Sequence, residues 1–312
     1  MSDGWNTIDS DAGVFTELVE KLQVPNVELD DIFSIDSDSL LQFAPLHGVI
    51  FLFKYGNIDR QYASDGNKPL AGTYDKDYQE KGIFFAKQTI QNACATQAVL
   101  NILMNSNIDL GPELSNFKSF VTGFDSEMTG DTISNSTLIR TVHNSFSAPP
   151  MIANDKRPPQ HNYYDHDDGL FHFIGYQNID GTLYELDGLK SYPIEHGPCT
   201  KETFPHAVSE VLMKRISMYS GELRFSLLAI THNRLEYFKQ IDDAEAMSQE
   251  VVKREQWARE NKLRRQDYTG LIGALVTSLA SECSESEWTR LLKEAEHKGH
   301  VRMIQDYKSI RR

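Results

Sequence analysis

From Phe171 to Gly188 the chain reads FHFIGYQNIDGTLYELDG, two alternating runs on either side of Asn178, Ile179, Asp180 and Gly181. Period-two alternation marks half-buried strands, and Asn, Asp and Gly are the residues that reverse them, so this stretch is an antiparallel hairpin. If all four central residues form the loop, Gln177 faces Thr182, and counting outward sets His172 directly opposite Asp187. A two-residue turn at Asp180 and Gly181 instead sets Asp187 opposite Ile174, diagonal to His172. Either turn puts His172 and Asp187 on one face, with Phe173, Tyr184 and Leu186 on the other. A carboxylate beside an imidazole fixes its tautomer and steadies its cation, which is what a proton-shuttling base requires. Taken alone, the same two residues also suit an ordinary surface pair on an edge hairpin.

The second constraint is QTIQNACATQAVLNILM, residues 88 to 104. Ala95, Ala98, Val99, Ile102 and Leu103 recur at three- and four-residue steps, the period of a helix with one buried face. Asn92 is the expected N-cap, which places Cys94 in the first turn. Unpaired N–H groups and the positive end of the helix dipole there favour a thiolate. Cys94 is thus the candidate nucleophile, its blander alternative being a small buried core residue. Gln88, just before the helix, is the candidate amide donor for an oxyanion.

Along the rest of the chain, Ala12 to Leu22 reads as a helix with Phe15, Leu18, Val19 and Leu22 on one face. The apolar run His47 to Lys54 reads as the central strand. Residues 56 to 80 are a surface loop, a helix starts at Gly111-Pro112 and stops near Gly123, and another spans Ser136 to Phe146. Residues 147 to 168 carry four prolines and no periodicity, a long loop joining the Cys94 half to the hairpin. A helix from Thr200 to Ser220 and a strand from Arg224 to Ile230 close the first domain. The expected division is 1–232 for a catalytic domain, 233–266 for a charged helical linker and 267–312 for a helical tail. In the tail Tyr268, Leu271, Ile272, Leu275 and Leu279 form one stripe, and Ser284 with Glu287 is a capping box ahead of Trp288, Leu291 and Leu292. A unit this small buries too little surface alone and is expected to dock on a partner or on the catalytic domain.

These residues resemble the ubiquitin C-terminal hydrolase family of papain-like cysteine proteases, and within it the long-tailed, proteasome-associated branch. The resemblance is carried by Trp5 with IDSDAGVFTELV, PLHGVIFLFKY at 45 to 55, FFAKQTIQNACATQA at 84 to 98, SNSTLIRTVHNSF at 134 to 146, and HFIGY followed by LYELDGLKSYPIEHG. It implies an α/β (α+β) fold with a central antiparallel-rich sheet flanked by helices, plus a helical C-terminal tail. It assigns the nucleophile to Cys94, the base to His172, the orienting acid to Asp187 and the oxyanion amide to Gln88. It further implies that residues 147 to 168 are a crossover loop under which the substrate's C-terminal tail threads. RRQDYTGLI resembles the family's tail, which docks on the ubiquitin-receptor subunit of the proteasome's regulatory particle. The implied activity is thiol-dependent cleavage after the C-terminal glycine of ubiquitin. Two other readings are a ubiquitin-binding scaffold with little activity of its own and an acyltransferase built on the same residues.

Composition agrees. A net charge of −14 disfavours nucleic acid, whose binding needs clustered Lys and Arg, and suits a substrate tail that carries arginines. The three cysteines, Cys94, Cys199 and Cys283, are widely spaced without a C-x-x-C pair, so neither a disulfide framework nor a structural zinc is expected. His161 and His166 lack a further ligand cluster, and neither metal nor cofactor is expected. No apolar run reaches membrane-span length, and the acidic start MSDGWNTIDSD lacks a signal peptide's positive charge and apolar centre. A soluble chain of the cytoplasm and nucleus is expected.

Overall fold

The computed structural model describes residues 4–56, 58, 59, 62, 68–90, 92–146, 171–219 and 225–310. Two compact units result, one from residues 1–147 with 171–264 and one that contains residues 265–312. The loop expected at 147 to 168 lies outside the described residues.

The strands of the first unit are β1 (Val27–Asp31), β2 (Leu46–Lys54), β3 (Thr73–Tyr74), β4 (Phe171–Ile179), β5 (Thr182–Leu186), β6 (Ile194–Pro198) and β7 (Phe225–His232). Among the described residues they form one seven-stranded sheet in the order β1-β7-β2-β4-β5-β6-β3, with every pairing antiparallel. The middle place belongs to β4, the His172 strand, with β2 beside it. Hairpin pairing to β5 on one side and to β2 on the other puts β4 there.

The hairpin turn is the two-residue one. Ile179 pairs with Thr182, and Asp180 and Gly181 both take positive φ, 47° and 86°, as a primed turn requires. Asn178 Oδ1 stabilises it by accepting the Gly181 N–H at 3.1 Å. His172 is therefore not directly opposite Asp187, as the four-residue loop would have it. The two remain on one face because that face repeats every second residue.

Both faces of the sheet are covered, and the strand alternation divides the core. Ile50, Phe173, Tyr184, Leu186 and Leu228 face α1 (Ala12–Lys21) and α3 (Cys94–Asn105). Val49, Phe51, Phe53, Ile174, Tyr176 and Leu227 face α2 (Ser37–Leu41) and α7 (Phe204–Ser217). On α1, Phe15, Leu18 and Val19, with Leu22 just beyond its end, are all buried, each worth about 1.5–3 kcal/mol. Asp11 caps that helix by accepting the Val14 N–H.

The depth at which α3 lies on the sheet is set by a pit. A Cβ added at Gly48 would stand 2.7 Å from Ile102 Cγ2, and one at Gly175 would stand 3.0 Å from Ile102 Cδ1, so bare backbone on β2 and β4 receives this side chain. Gln177 Nε2 then ties the helix end to β4 by donating to Ile102 O at 3.1 Å and to Ser106 Oγ at 2.9 Å. The helix carrying Cys94 and the strand carrying His172 are thus fastened together by shape and by hydrogen bonds.

Around this frame stand α4 (Gly111–Phe120), α5 (Ser126–Asn135) and α6 (Thr137–Asn144). The segment beyond 232 forms α8 (Arg234–Gln240) and α9 (Ala244–Arg264), and α9 packs against α1 and β1. Fully buried Glu28 receives Lys253 and Arg254 from α9, and Asn261 Nδ2 donates to Gly13 O at 3.0 Å. In the second unit, α10 (Thr269–Glu282) and α11 (Glu285–Ile310) meet at the predicted capping box. There Ser284 N–H donates to Glu287 Oε2 at 3.0 Å and Glu287 N–H to Ser284 Oγ at 3.4 Å. The α10 stripe is exposed, Leu275 by 61% and Leu279 by 48%. No helix among the described residues is long and apolar enough to cross a membrane.

Candidate active site

Cys94 is the first residue of α3 and is half-buried. The N-cap is Ala93, without any side-chain cap, and not Asn92. Asn92 takes a left-handed φ of 67°, and its Nδ2 donates to the carbonyl of Trp5 at 3.1 Å, a partner far away in sequence. The expected cap is thus recruited elsewhere. The first-turn N–H groups beside the sulfur are left uncapped by a side chain, which favours negative charge there.

His172, at the start of β4, is only 4% exposed. Its ring stands edge-on to Phe53 at 5.9 Å and to Tyr55 at 5.8 Å between centroids. Nε2 bonds Asp187 Oδ1 at 2.7 Å, and the Cys94 sulfur is near enough to the ring to act on its charge. Asp187 is 1% exposed, and its Oδ1 takes a further bond from Leu189 N–H at 2.9 Å.

Burial by itself pushes the imidazole pKa down. The Asp187 charge and hydrogen bond, with a smaller contribution from the Cys94 sulfur, outweigh it and raise His172 to about 9. Burial likewise raises Asp187, but the His172 cation and then Lys190 hold its carboxyl below the usual range. The pair is an imidazolium and a carboxylate at neutral pH.

Gln88 lies on the extended segment leading into α3, its N–H donating to Gly188 O at 2.7 Å. The carbonyl of the residue after Asp187 therefore anchors it. Its Nε2 donates to Ile90 O at 3.0 Å, and its buried Oε1 has no hydrogen-bond partner among the described residues. Since an NH2 has two hydrogens, one N–H of that amide is not used by this bond.

A further buried charge cluster sits on the His172 face of the sheet. Arg215 of α7 bonds Glu185 Oε1 at 2.6 Å and Asp59 Oδ1 at 3.4 Å, and lies 4.7 Å over the Phe53 ring that edges His172. Burial raises Glu185, yet the Arg215 charge and the bonds from His196 and Arg215 hold it well below its ordinary value. Tyr219 O–H also donates to Asp59, so that buried carboxylate has two partners from one end of α7 and its flank. Sequence reasoning misses Arg215. The signal was Glu185, a charge two residues before Asp187 on the same strand face, which cannot be buried without a cation. Among the described residues no three His, Cys, Asp or Glu side chains are gathered as for a metal ion.

An antiparallel sheet with helices on both faces, holding a buried imidazole–carboxylate pair beside a helix-terminal cysteine, is the equipment of a cysteine hydrolase. The comparisons carry this to a family. The model described as ubiquitin carboxyl-terminal hydrolase, family 1, matches residues 5–217, and one described as ubiquitin carboxyl-terminal hydrolases matches residues 241–283. Ubiquitin carboxyl-terminal hydrolase 2 of Schizosaccharomyces pombe is 42% identical over 305 residues, covering 94% of this chain and 97% of that one. Ubiquitin carboxyl-terminal hydrolase ubh-4 of Caenorhabditis elegans is 34% identical over 301 residues, covering 89% and 88%. Among solved structures, the Trichinella spiralis UCH37 catalytic domain bound to ubiquitin vinyl methyl ester matches with a TM-score of 0.61 at 30% identity, covering 74% of this chain and 98% of that one. The chain belongs to the ubiquitin C-terminal hydrolase family and is a cysteine-type deubiquitinating enzyme.

Proposed function

We propose that this chain hydrolyses the bond after the C-terminal glycine of ubiquitin, with Cys94 as nucleophile, His172 as base and proton donor, Asp187 as orienting acid and Gln88 at the oxyanion. The observation that carries the reading is the buried Asp187–His172 hydrogen bond with the Cys94 sulfur beside the imidazole. The attacking form is the thiolate, and the His172 ring carries the proton that the sulfur gives up. The thiolate adds to the glycine carbonyl, and the oxyanion takes N–H donors from the Gln88 side chain and the Cys94 backbone. Collapse expels the amine, which takes its proton from His172. Water then adds to the thioester, giving a proton to the neutral imidazole, and Cys94 leaves as thiolate.

The tail residues 267–312 dock on the ubiquitin-receptor subunit of the proteasome's regulatory particle, and the enzyme works there, in cytoplasm and nucleus. What supports this is the apolar face of α10, which stands in water with Leu271, Leu275 and Leu279 exposed. The catalytic residues all lie within 1–232.

Turnover of a ubiquitin amide reporter tests the chemistry. Cys94→Ser should abolish it while retaining ubiquitin binding, and retained turnover would remove Cys94 from the mechanism. Co-purification from cells tests the tail. Leu275→Asp with Leu279→Asp should lose proteasomes, and a variant that still travels with them would place the docking element elsewhere.

A further inference from the structure

One face of α3 carries amides where a core helix would carry apolar side chains. Gln97 and Asn101 are buried, Asn105 is half-buried, and the three stand at four-residue steps. Asn is a poor helix former, and a buried amide is costly unless its bonds are made. Here all three are engaged with one target, the backbone of the extended segment that leads to Gln88. Asn105 Oδ1 accepts Phe84 N–H at 2.8 Å, and its Nδ2 donates to Phe84 O at 2.7 Å. Asn101 does the same at Ala86, accepting N–H at 2.9 Å and donating to O at 3.4 Å. Gln97 Nε2 adds a donor to Ala86 O at 2.6 Å.

The geometry of the two elements makes such a ladder possible. Four helical residues rise about 6 Å and two extended residues about 6.7 Å, so rungs at i, i+4 on the helix meet every second residue of the segment. The next rung beyond Ala86 falls at Gln88. There Gln97 and Gln88 bracket Gly188, where a Cβ would stand 3.2 Å from Gln88 Cβ and 3.3 Å from Gln97 Nε2. Apolar packing would hold the segment against the helix without fixing how far it slides, since it is non-directional. Hydrogen bonds with narrow length limits fix the slide.

We infer that Gln97, with Asn101 and Asn105 behind it, is a positioning residue that sets the Gln88 amide at the right place along the helix relative to Cys94, so that the oxyanion site is formed before substrate binds. The inference rests on the roles proposed above for Gln88 and Cys94. Oxyanion donors act within a few tenths of an ångström, and a misplacement of about 1 Å costs on the order of a hundredfold in rate.

The test is Gln97→Met, nearly isosteric, in the wild-type and Gln88→Ala backgrounds. With a ubiquitin amide reporter, Gln97→Met alone should lower kcat about ten- to a hundredfold while KM stays within about twofold. Alkylation of Cys94 by iodoacetamide should keep its rate and pH profile, because His172 and Asp187 are untouched. In the Gln88→Ala background Gln97→Met should cost less than about a further twofold, since the group it positions is gone. Equal losses in both backgrounds, or a rise in KM with kcat kept, would overturn the inference while leaving Gln88 in its role. A Gln88→Ala enzyme with wild-type kcat would overturn both. If Gln97→Met does not fold, Gly188→Ala presses on the same two side chains from the other side. It should show the same background-dependent loss, and a loss independent of Gln88 again counts against the ladder.

Discussion

Replacing Asp187 by Asn keeps the shape of the hairpin end and removes the charge that holds a proton on His172. The gap between the ordinary 6.5 and about 9 corresponds to roughly 3 kcal/mol in favour of the imidazolium. Burial opposes that cation, and the carboxylate is the largest influence sustaining it. With Asn at 187 the ring can still donate to the side-chain oxygen, but the titration midpoint should fall to 6.5 or below. The same change alters stability. A group whose pKa is raised on folding stabilises fully below its unfolded value, and the contribution is lost as pH rises through the folded one. Between pH 6.5 and about 9, wild-type stability should therefore decline by an amount that the variant does not show. Nuclear magnetic resonance of the His172 ring reads the midpoint, and denaturant unfolding at each pH reads the stability. The kcat of Asp187→Asn should drop by about a hundredfold or more, less than for His172→Ala, because the carboxylate orients the ring and does not itself transfer the proton. A variant midpoint unchanged from wild type would refute the reasoning, since something other than Asp187 would then hold the proton.

Gly48→Ala should lower stability by about 1–3 kcal/mol in urea unfolding, because its Cβ meets Ile102, and the loss should shrink when Ile102 is also cut to Ala. Arg215→Met should cost about 3–5 kcal/mol by leaving Glu185 and Asp59 buried without their cation, a loss that calorimetry would register as a lower Tm. Leu275→Asp with Leu279→Asp should leave the Tm of the catalytic unit and the turnover of a small ubiquitin reporter within error of wild type, because both side chains are exposed on α10.

What was legible in the sequence is what local periodicity encodes. The alternation around Asp180 marks β4 and β5, the three- and four-residue steps after Cys94 mark α3, and Ser284 with Glu287 marks the start of α11. The turn length stayed open because Asn178 and Asp180 both suit reversals. Only the positive φ of Asp180 and Gly181 decides it, and the face shared by His172 and Asp187 survives either way. Asn92 looks like a cap because its side chain suits one, but a distant carbonyl, that of Trp5, claims it. Strands as short and charged as VELDD and IEHGP carry at most two apolar residues each, too few to establish a period, so β1 and β6 become visible only through their neighbours. The amide face of α3 is silent for a related reason. Gln and Asn ordinarily mark a solvent face, and nothing local shows that an extended segment lies across them.

The central claim is that Cys94, activated by His172, attacks the terminal carbonyl of ubiquitin. Intact protein should be exposed to ubiquitin carrying an electrophile at its C-terminus, then digested and sequenced by mass spectrometry. A single ubiquitin adduct is predicted on Cys94, absent from Cys94→Ser and slowed in His172→Ala. Buried Cys199 and half-buried Cys283 should remain free. An adduct on either of those, or undiminished labelling in Cys94→Ser, would contradict the account.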